Sequence, residues 1–163
     1  MGRNKNKVMH IFQTEGTLTP KGLGMTMHPR FVDWFLDWAL EHDYSLLTYG
    51  DLKDCRTHIP SKVLNSAKYI FSKEGTEVSK YHGANWIKKI GEVDMIKNSS
   101  GIIDFILEDD DYLQCFLYSH NCTTKDLNLQ ERLSGMHKCQ VFDIKEWKDT
   151  AMFLKRLVWE KNG

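Results

Sequence analysis

The sequence predicts an α/β fold, because short apolar runs of strand character alternate along the chain with a helical apolar period. Three segments carry this reading. Val8 to Phe12 is an apolar strand that leads into the turn residues Gly16-Thr17-Leu18-Thr19. Pro29 to about His42 repeats Phe31, Trp34, Phe35, Trp38 and Ala39 at helical spacing, and Pro29 suits a first helical turn. Tyr44 to Thr48 is a second short buried strand, closed by the turn Tyr49-Gly50-Asp51.

The remaining elements follow in order. Between the first strand and first helix, Pro20, Gly22 and Gly24 mark a loop long enough to lie over a pocket. Residues 66 to 83 alternate around Glu74-Gly75 and predict a hairpin. Asn85 to about Ile96 is expected to be helical, and Gly101 to Leu107, rich in Ile and Phe, is expected to be a buried strand ending in Glu108-Asp109-Asp110-Asp111. Tyr112 to Tyr118 is then read as a helix, Asn121 to Met136 as polar and irregular, and Cys139 to Ile144 as a last strand. A final helix from Lys145 to about Trp159 aligns Trp147, Ala151, Leu154 and Val158 on one face.

Composition limits the function classes. A chain of 163 residues with 41% apolar and 12% aromatic content suits one domain, 1–163, with a sizeable core. Its 22 Lys and Arg balance its 22 Asp and Glu, so no global field draws it to nucleic acid or to a membrane surface. No stretch approaches the roughly 20 apolar residues of a membrane span, and the N-terminus lacks the apolar core of a secretory signal. Four irregularly spaced cysteines read as reduced thiols, which predicts a cytoplasmic protein.

The segment from Val8 to Thr19 resembles the first motif of the haloacid dehalogenase (HAD) superfamily, in which four apolar residues lead into Asp-x-Asp-Gly-Thr-Leu-Thr. Gly16, Thr17, Leu18 and Thr19 match its tail, while Gln13 and Glu15 stand at its two aspartates. Thr48, at the end of the second strand, resembles the second motif, whose hydroxyl holds the transferring phosphoryl group. Lys88 and Lys89, about twenty residues before the acidic run, resemble the third, a charge-neutralising lysine, with Lys97 as a weaker choice. Asp109 and Asp110 resemble the fourth, which completes a magnesium site at the carboxyl end of a strand, where parallel sheets place ligands. Residues 66 to 83 look like the hairpin of the Cof and phosphomannomutase branches, with Lys73-Glu74-Gly75 in the turn. Those branches insert a large cap soon afterwards, for which too few residues remain here. The resemblance thus implies a three-layer sandwich with a mainly parallel, Rossmann-like sheet and no large cap domain.

The same resemblance makes the two replaced carboxylates decisive. In the family the first aspartate attacks phosphorus and binds magnesium, and the second protonates the leaving group and then activates water. The neutral oxygen of a carboxamide is a poor nucleophile, and it offers a hard cation no charge. Glu15 keeps the acid but moves it by one methylene. The expectation is a HAD-like domain with impaired catalysis that binds a phosphorylated small molecule or a protein partner. Gly16 and Thr17 would cradle phosphate beside Thr48 and a lysine, and Gln13, Glu15, Asp109 and Asp110 would surround a weakened magnesium site. A magnesium-dependent phosphomonoesterase using Glu15 and a metal-bound water is the alternative, and a structural or inhibitory module that uses exposed aromatics such as Trp86 or Trp159 is a third.

A competing constellation, His120/Cys122 with His137/Cys139, has the donor types of a zinc site, but a buried free cysteine and surface histidines explain it at no extra cost. His10, within the first strand, reads as a satisfied core histidine. No Gly-x-Ser-x-Gly elbow, Walker loop or Gly-x-Gly-x-x-Gly fingerprint occurs.

Overall fold

Seven strands form one sheet in the order β5-β4-β3-β2-β1-β6-β7. They are β1 (Val8–Gln13), β2 (Asp43–Leu47), β3 (Ile70–Ser72), β4 (Glu77–His82), β5 (Trp86–Glu92), β6 (Gln114–Ser119) and β7 (Cys139–Asp143). The run β3-β2-β1-β6-β7 is parallel throughout, and β4 and β5 are added antiparallel at one side. This computed structural model describes residues 7–22, 24–48, 50–73, 75–82, 86–92, 101–108, 112–119 and 139–162.

Alternation along the strands divides the core into two layers, as a doubly covered parallel sheet requires. Phe12, Leu46, Ile70 and Tyr118 face α1 (Pro29–Ala39), α3 (Ser61–Ser66) and α5 (Trp147–Asn162), where Phe31, Phe35, Trp38, Val63, Leu64 and Leu154 are buried. Met9, Ile11, Leu47, Phe71 and Cys115 face the other way, onto Ile102, Ile103 and Ile106 of α4 (Gly101–Leu107). Helices therefore cover both faces, and the expected three-layer α/β sandwich is present. No separate cap occurs among the described residues.

The first helix starts where its proline predicts. His28 caps α1, its Nδ1 accepting the Arg30 N–H at 3.1 Å, and Pro29 follows in the first turn. Two short helices, α2 (Leu52–His58) and α3, cross from β2 to β3, a connection the apolar periodicity does not reveal. The expected hairpin is β3-β4, with Lys73 and Gly75 in the left-handed backbone region that a tight reversal uses.

Three elements correct the sequence reading. Residues 86–92 are not helical; they form β5, whose Trp86, Ile87 and Ile90 suit a strand and whose backbone completes the open edge of β4. Residues 101–107 are a helix, because Ile102, Ile103 and Ile106 fall at i, i+1 and i+4, a helical stripe in a segment of β-branched composition. Residues 114–119, read as helical, form β6: Cys115 and Leu117 pack into one layer while Phe116 and Tyr118 pack into the other, a period of two.

Candidate functional site

The carboxyl end of the parallel sheet is organised by the end of β1. Cα register pairs Gln13 with Leu47 of β2, and the Thr14 N–H continues the ladder to the Leu47 carbonyl at 2.9 Å. The chain then reverses on the Thr14 carbonyl, which accepts from the N–H groups of Leu18 at 2.9 Å and Thr19 at 3.1 Å. Gly16 sits in this turn at φ 79°, a conformation that an L side chain opposes. Leu18 is fully buried and anchors the turn to the core beside Met27 and Phe31.

Gln13 is 1% exposed, and its side chain is held from the opposite neighbour, β6. The Ser119 hydroxyl donates to Gln13 Oε1 at 2.5 Å, while Gln13 Nε2 has no partner among the described residues. Ser119 ends β6, and its carbonyl accepts the Ile144 N–H at 2.8 Å, tying in the end of β7. Sequence reading missed Ser119 because it took 112–118 for a helix. Cys115, Phe116, Leu117 and Tyr118 are apolar throughout, so no polar alternation marks them as a strand, and pairing with β1 is what identifies it.

Further buried hydroxyls lie along the same edge. Thr48 follows β2, one residue beyond the Leu47–Phe71 pair, and its N–H bonds the Phe71 carbonyl at 2.8 Å; Ser72 ends β3 at the same level. Thr17, Thr48 and Ser72 are all 0% exposed, and none of their hydroxyls has a hydrogen-bond partner among the described residues. With Gln13 Nε2 they make four of the seven buried unpartnered side-chain atoms among the described residues. Each such group costs about 1–3 kcal/mol if left dry, and all four belong to residues at the carboxyl ends of β1, β2 and β3 or in the turn after β1, the edge where parallel sheets take ligands.

Glu15 is half-buried in the turn and acts on Cys55 of α2: burial first, then the charges of Glu15 and Asp54, push that thiol up to about 12. Asp51 caps α2 and accepts the Asp54 N–H at 2.9 Å. The loop after the turn is fastened to the end of α2, where Met27 N–H bonds the His58 carbonyl at 3.2 Å and His58 Nδ1 meets the Met25 carbonyl at 2.7 Å.

The structure brings together Gln13, Glu15, Gly16, Thr17 and Thr48, and leaves other expected site residues apart. Lys88 and Lys89 lie in β5, four strands from β1, which at the usual strand spacing is roughly 19 Å. Lys89 there pairs with Glu77 at 3.2 Å. Asp109 and Asp110 lie outside the described residues. The strand expected to deliver them is the helix α4, and beyond them Tyr112 donates to Asp43 and the Leu113 N–H bonds the Lys7 carbonyl, both at the amino end of the sheet. Of the zinc candidates, His120, Cys122 and His137 lie outside the described residues, and Cys139 is buried at the start of β7, in register with Cys115. The side chains of Trp86 and Trp159 also lie outside them.

The donors at the end of β1 do not suit magnesium. A divalent cation between β1 and β6 would meet a carboxamide whose oxygen already accepts a hydrogen bond, and a serine hydroxyl, neither carrying charge. Among the described residues no group of three or more His, Cys, Asp or Glu side chains is placed to hold a metal ion. No helix among them is long and apolar enough to cross a membrane.

No protein-family model matches the chain, and no curated protein sequence matches it. Its likeness is to solved structures. An IMP-bound, N-terminally truncated IMP-nucleotidase from Plasmodium falciparum superposes with a TM-score of 0.63 at 8% identity, over 95% of this chain and 69% of that one. A trehalose-6-phosphate phosphatase related protein gives 0.54 at 7% identity, over 95% of this chain and 100% of that one. Identities this low speak for the fold alone: with the sheet order and two-sided helical cover, they show that this chain shares the three-layer α/β fold, with its mainly parallel Rossmann-like sheet, of these two proteins.

Proposed function

We propose that this domain has abandoned aspartyl-phosphate chemistry and uses the carboxyl-edge cleft to bind a phosphorylated small molecule or a phosphate-bearing partner. The observation that carries the reading is the Gln13 side chain, which stands at the end of β1, almost fully buried, with its oxygen engaged by Ser119. A carboxamide oxygen has no charge to drive attack on phosphorus, and this one already accepts a hydrogen bond from Ser119. Gly16, Thr17 and Thr48 support retention of a phosphate cradle, since their backbone reversal and buried hydroxyls lie around the same strand ends. The free, buried thiols of Cys55, Cys115 and Cys139 support residence in a reducing, cytoplasmic setting.

Restoring the acids tests the reading. The wild-type protein should not hydrolyse p-nitrophenyl phosphate with magnesium, and the triple variant Gln13→Asp, Glu15→Asp, Ser119→Asp should gain magnesium-dependent hydrolysis. Turnover by the wild type that disappears in Glu15→Ala would instead establish a working phosphomonoesterase and overturn the proposal.

A further inference from the structure

We infer that the Gln13–Ser119 hydrogen bond stands in for a cation bridge between β1 and β6, so that this cleft holds an oxyanion without any metal. The inference rests on the phosphate-binding reading above and adds how the charge of the ligand is met.

The geometry begins with two adjacent parallel strands. Val8 to Phe12 of β1 pair in register with Gln114 to Tyr118 of β6, so Gln13 and Ser119 are the next residues on each and leave the sheet at one level. Two carboxylates at such positions would repel unless a cation lay between them. A carboxamide and a hydroxyl bind each other directly, here at 2.5 Å, and need no third party. Ser119 spends its proton on Oε1, which fixes the amide plane and leaves both Nε2 protons for a ligand. Thr17, in the turn after β1, and Thr48, at the end of β2, also carry hydroxyls without a partner among the described residues.

The donors in this inventory are neutral. Of the described lysines, Lys73 pairs with Glu77 at 3.3 Å and Lys145 with Asp143 at 2.5 Å. Neutral donors suffice for a phosphoryl or sulfuryl oxyanion, because in a site of low dielectric each hydrogen bond to a charged acceptor is worth about 1.5–3 kcal/mol. A divalent cation, by contrast, must shed tightly held water to reach uncharged oxygens, one of them already occupied. Ser119 is accordingly a positioning residue: it touches Gln13, and Gln13 offers its Nε2 protons to the ligand.

Titration of the full chain with inorganic phosphate, followed by calorimetry in chelator and again in excess magnesium, tests the inference. Equal affinity in the two conditions, within about twofold, is expected. Ser119→Ala should weaken phosphate by about tenfold in both, the worth of one oriented hydrogen bond to a charged group, while Ser119→Thr retains binding and thermal unfolding shows both variants folded. Gln13→Asp with Ser119→Asp should make phosphate binding depend on magnesium. If the wild type binds phosphate only when magnesium is present, the inference fails and the phosphate-binding reading stands. If phosphate binds in neither condition, both fail. Unchanged binding in folded Ser119→Ala also overturns the role given to Ser119.

Discussion

Lowering the pH from about 7.5 to about 4.5 should remove about 2.6 kcal/mol of folding stability through His10 alone. The ring is buried between layers of aromatic side chains, with Nδ1 2.9 Å from the Tyr118 hydroxyl and Trp38 and Phe116 presented edge-on at 4.8 and 5.3 Å. Burial, then the neighbouring His42, lower its pKa from 6.5 to about 3, and Asp43 opposes them only in part. The native state therefore keeps His10 neutral where the unfolded chain protonates it. Because the folded pKa is depressed, stability is complete above 6.5 and falls as pH drops from 6.5 toward about 3, by about 1.4 kcal/mol per unit. Urea unfolding followed by tryptophan fluorescence at both pH values, on wild type and His10→Phe, isolates this contribution. The variant leaves Tyr118 without its partner and is less stable at every pH, so the difference between the two pH dependences is the quantity read. A wild-type loss that matches the variant's would refute the buried neutral histidine, as would an NMR titration of the His10 ring with a midpoint near its ordinary value.

Two further outcomes follow from the backbone and the thiols. Gly16→Ala forces a Cβ into a φ of 79° and should cost about 1–2 kcal/mol in urea unfolding, where an exposed glycine at negative φ would gain stability from the same change. Cys55 and Cys139 are pushed up to about 12 and Cys115 is also raised, all by burial first, with Cys139 adding to Cys115. Iodoacetamide at about pH 8 should thus leave these three unmodified in the native protein and label them in denaturant, as peptide mass spectrometry reads directly.

The sequence was most legible where one period acted alone. The apolar run of β1, the proline-led aromatic helix α1 and the closing helix α5 each carry a single repeat that one buried face enforces. Misreading concentrated between residues 86 and 118, where composition and period disagree. Ile-rich α4 has strand composition on helical spacing, and β6 alternates residues that are apolar on both faces because both faces of a parallel strand are covered. Nothing local separates such a strand from a helix; the arbiter is pairing with β1, a contact across more than a hundred residues.

That error bears directly on the candidate site. Placing a strand at 101–107 attaches its acids to the carboxyl edge, whereas a helix there gives β6 the position beside β1 and puts Ser119 opposite Gln13. The first-motif residues were found because they are contiguous, carried by one strand and one turn. Their partner was not, since only the sheet order makes Ser119 a neighbour. Once it is placed, Gln13 no longer reads as an isolated loss. A carboxylate at either of these two buried positions would be costly without a cation to offset it. A neutral residue on both strands, joined by a hydrogen bond, removes that cost on each side at once. The pair is therefore a self-satisfied neutral arrangement for the ends of β1 and β6.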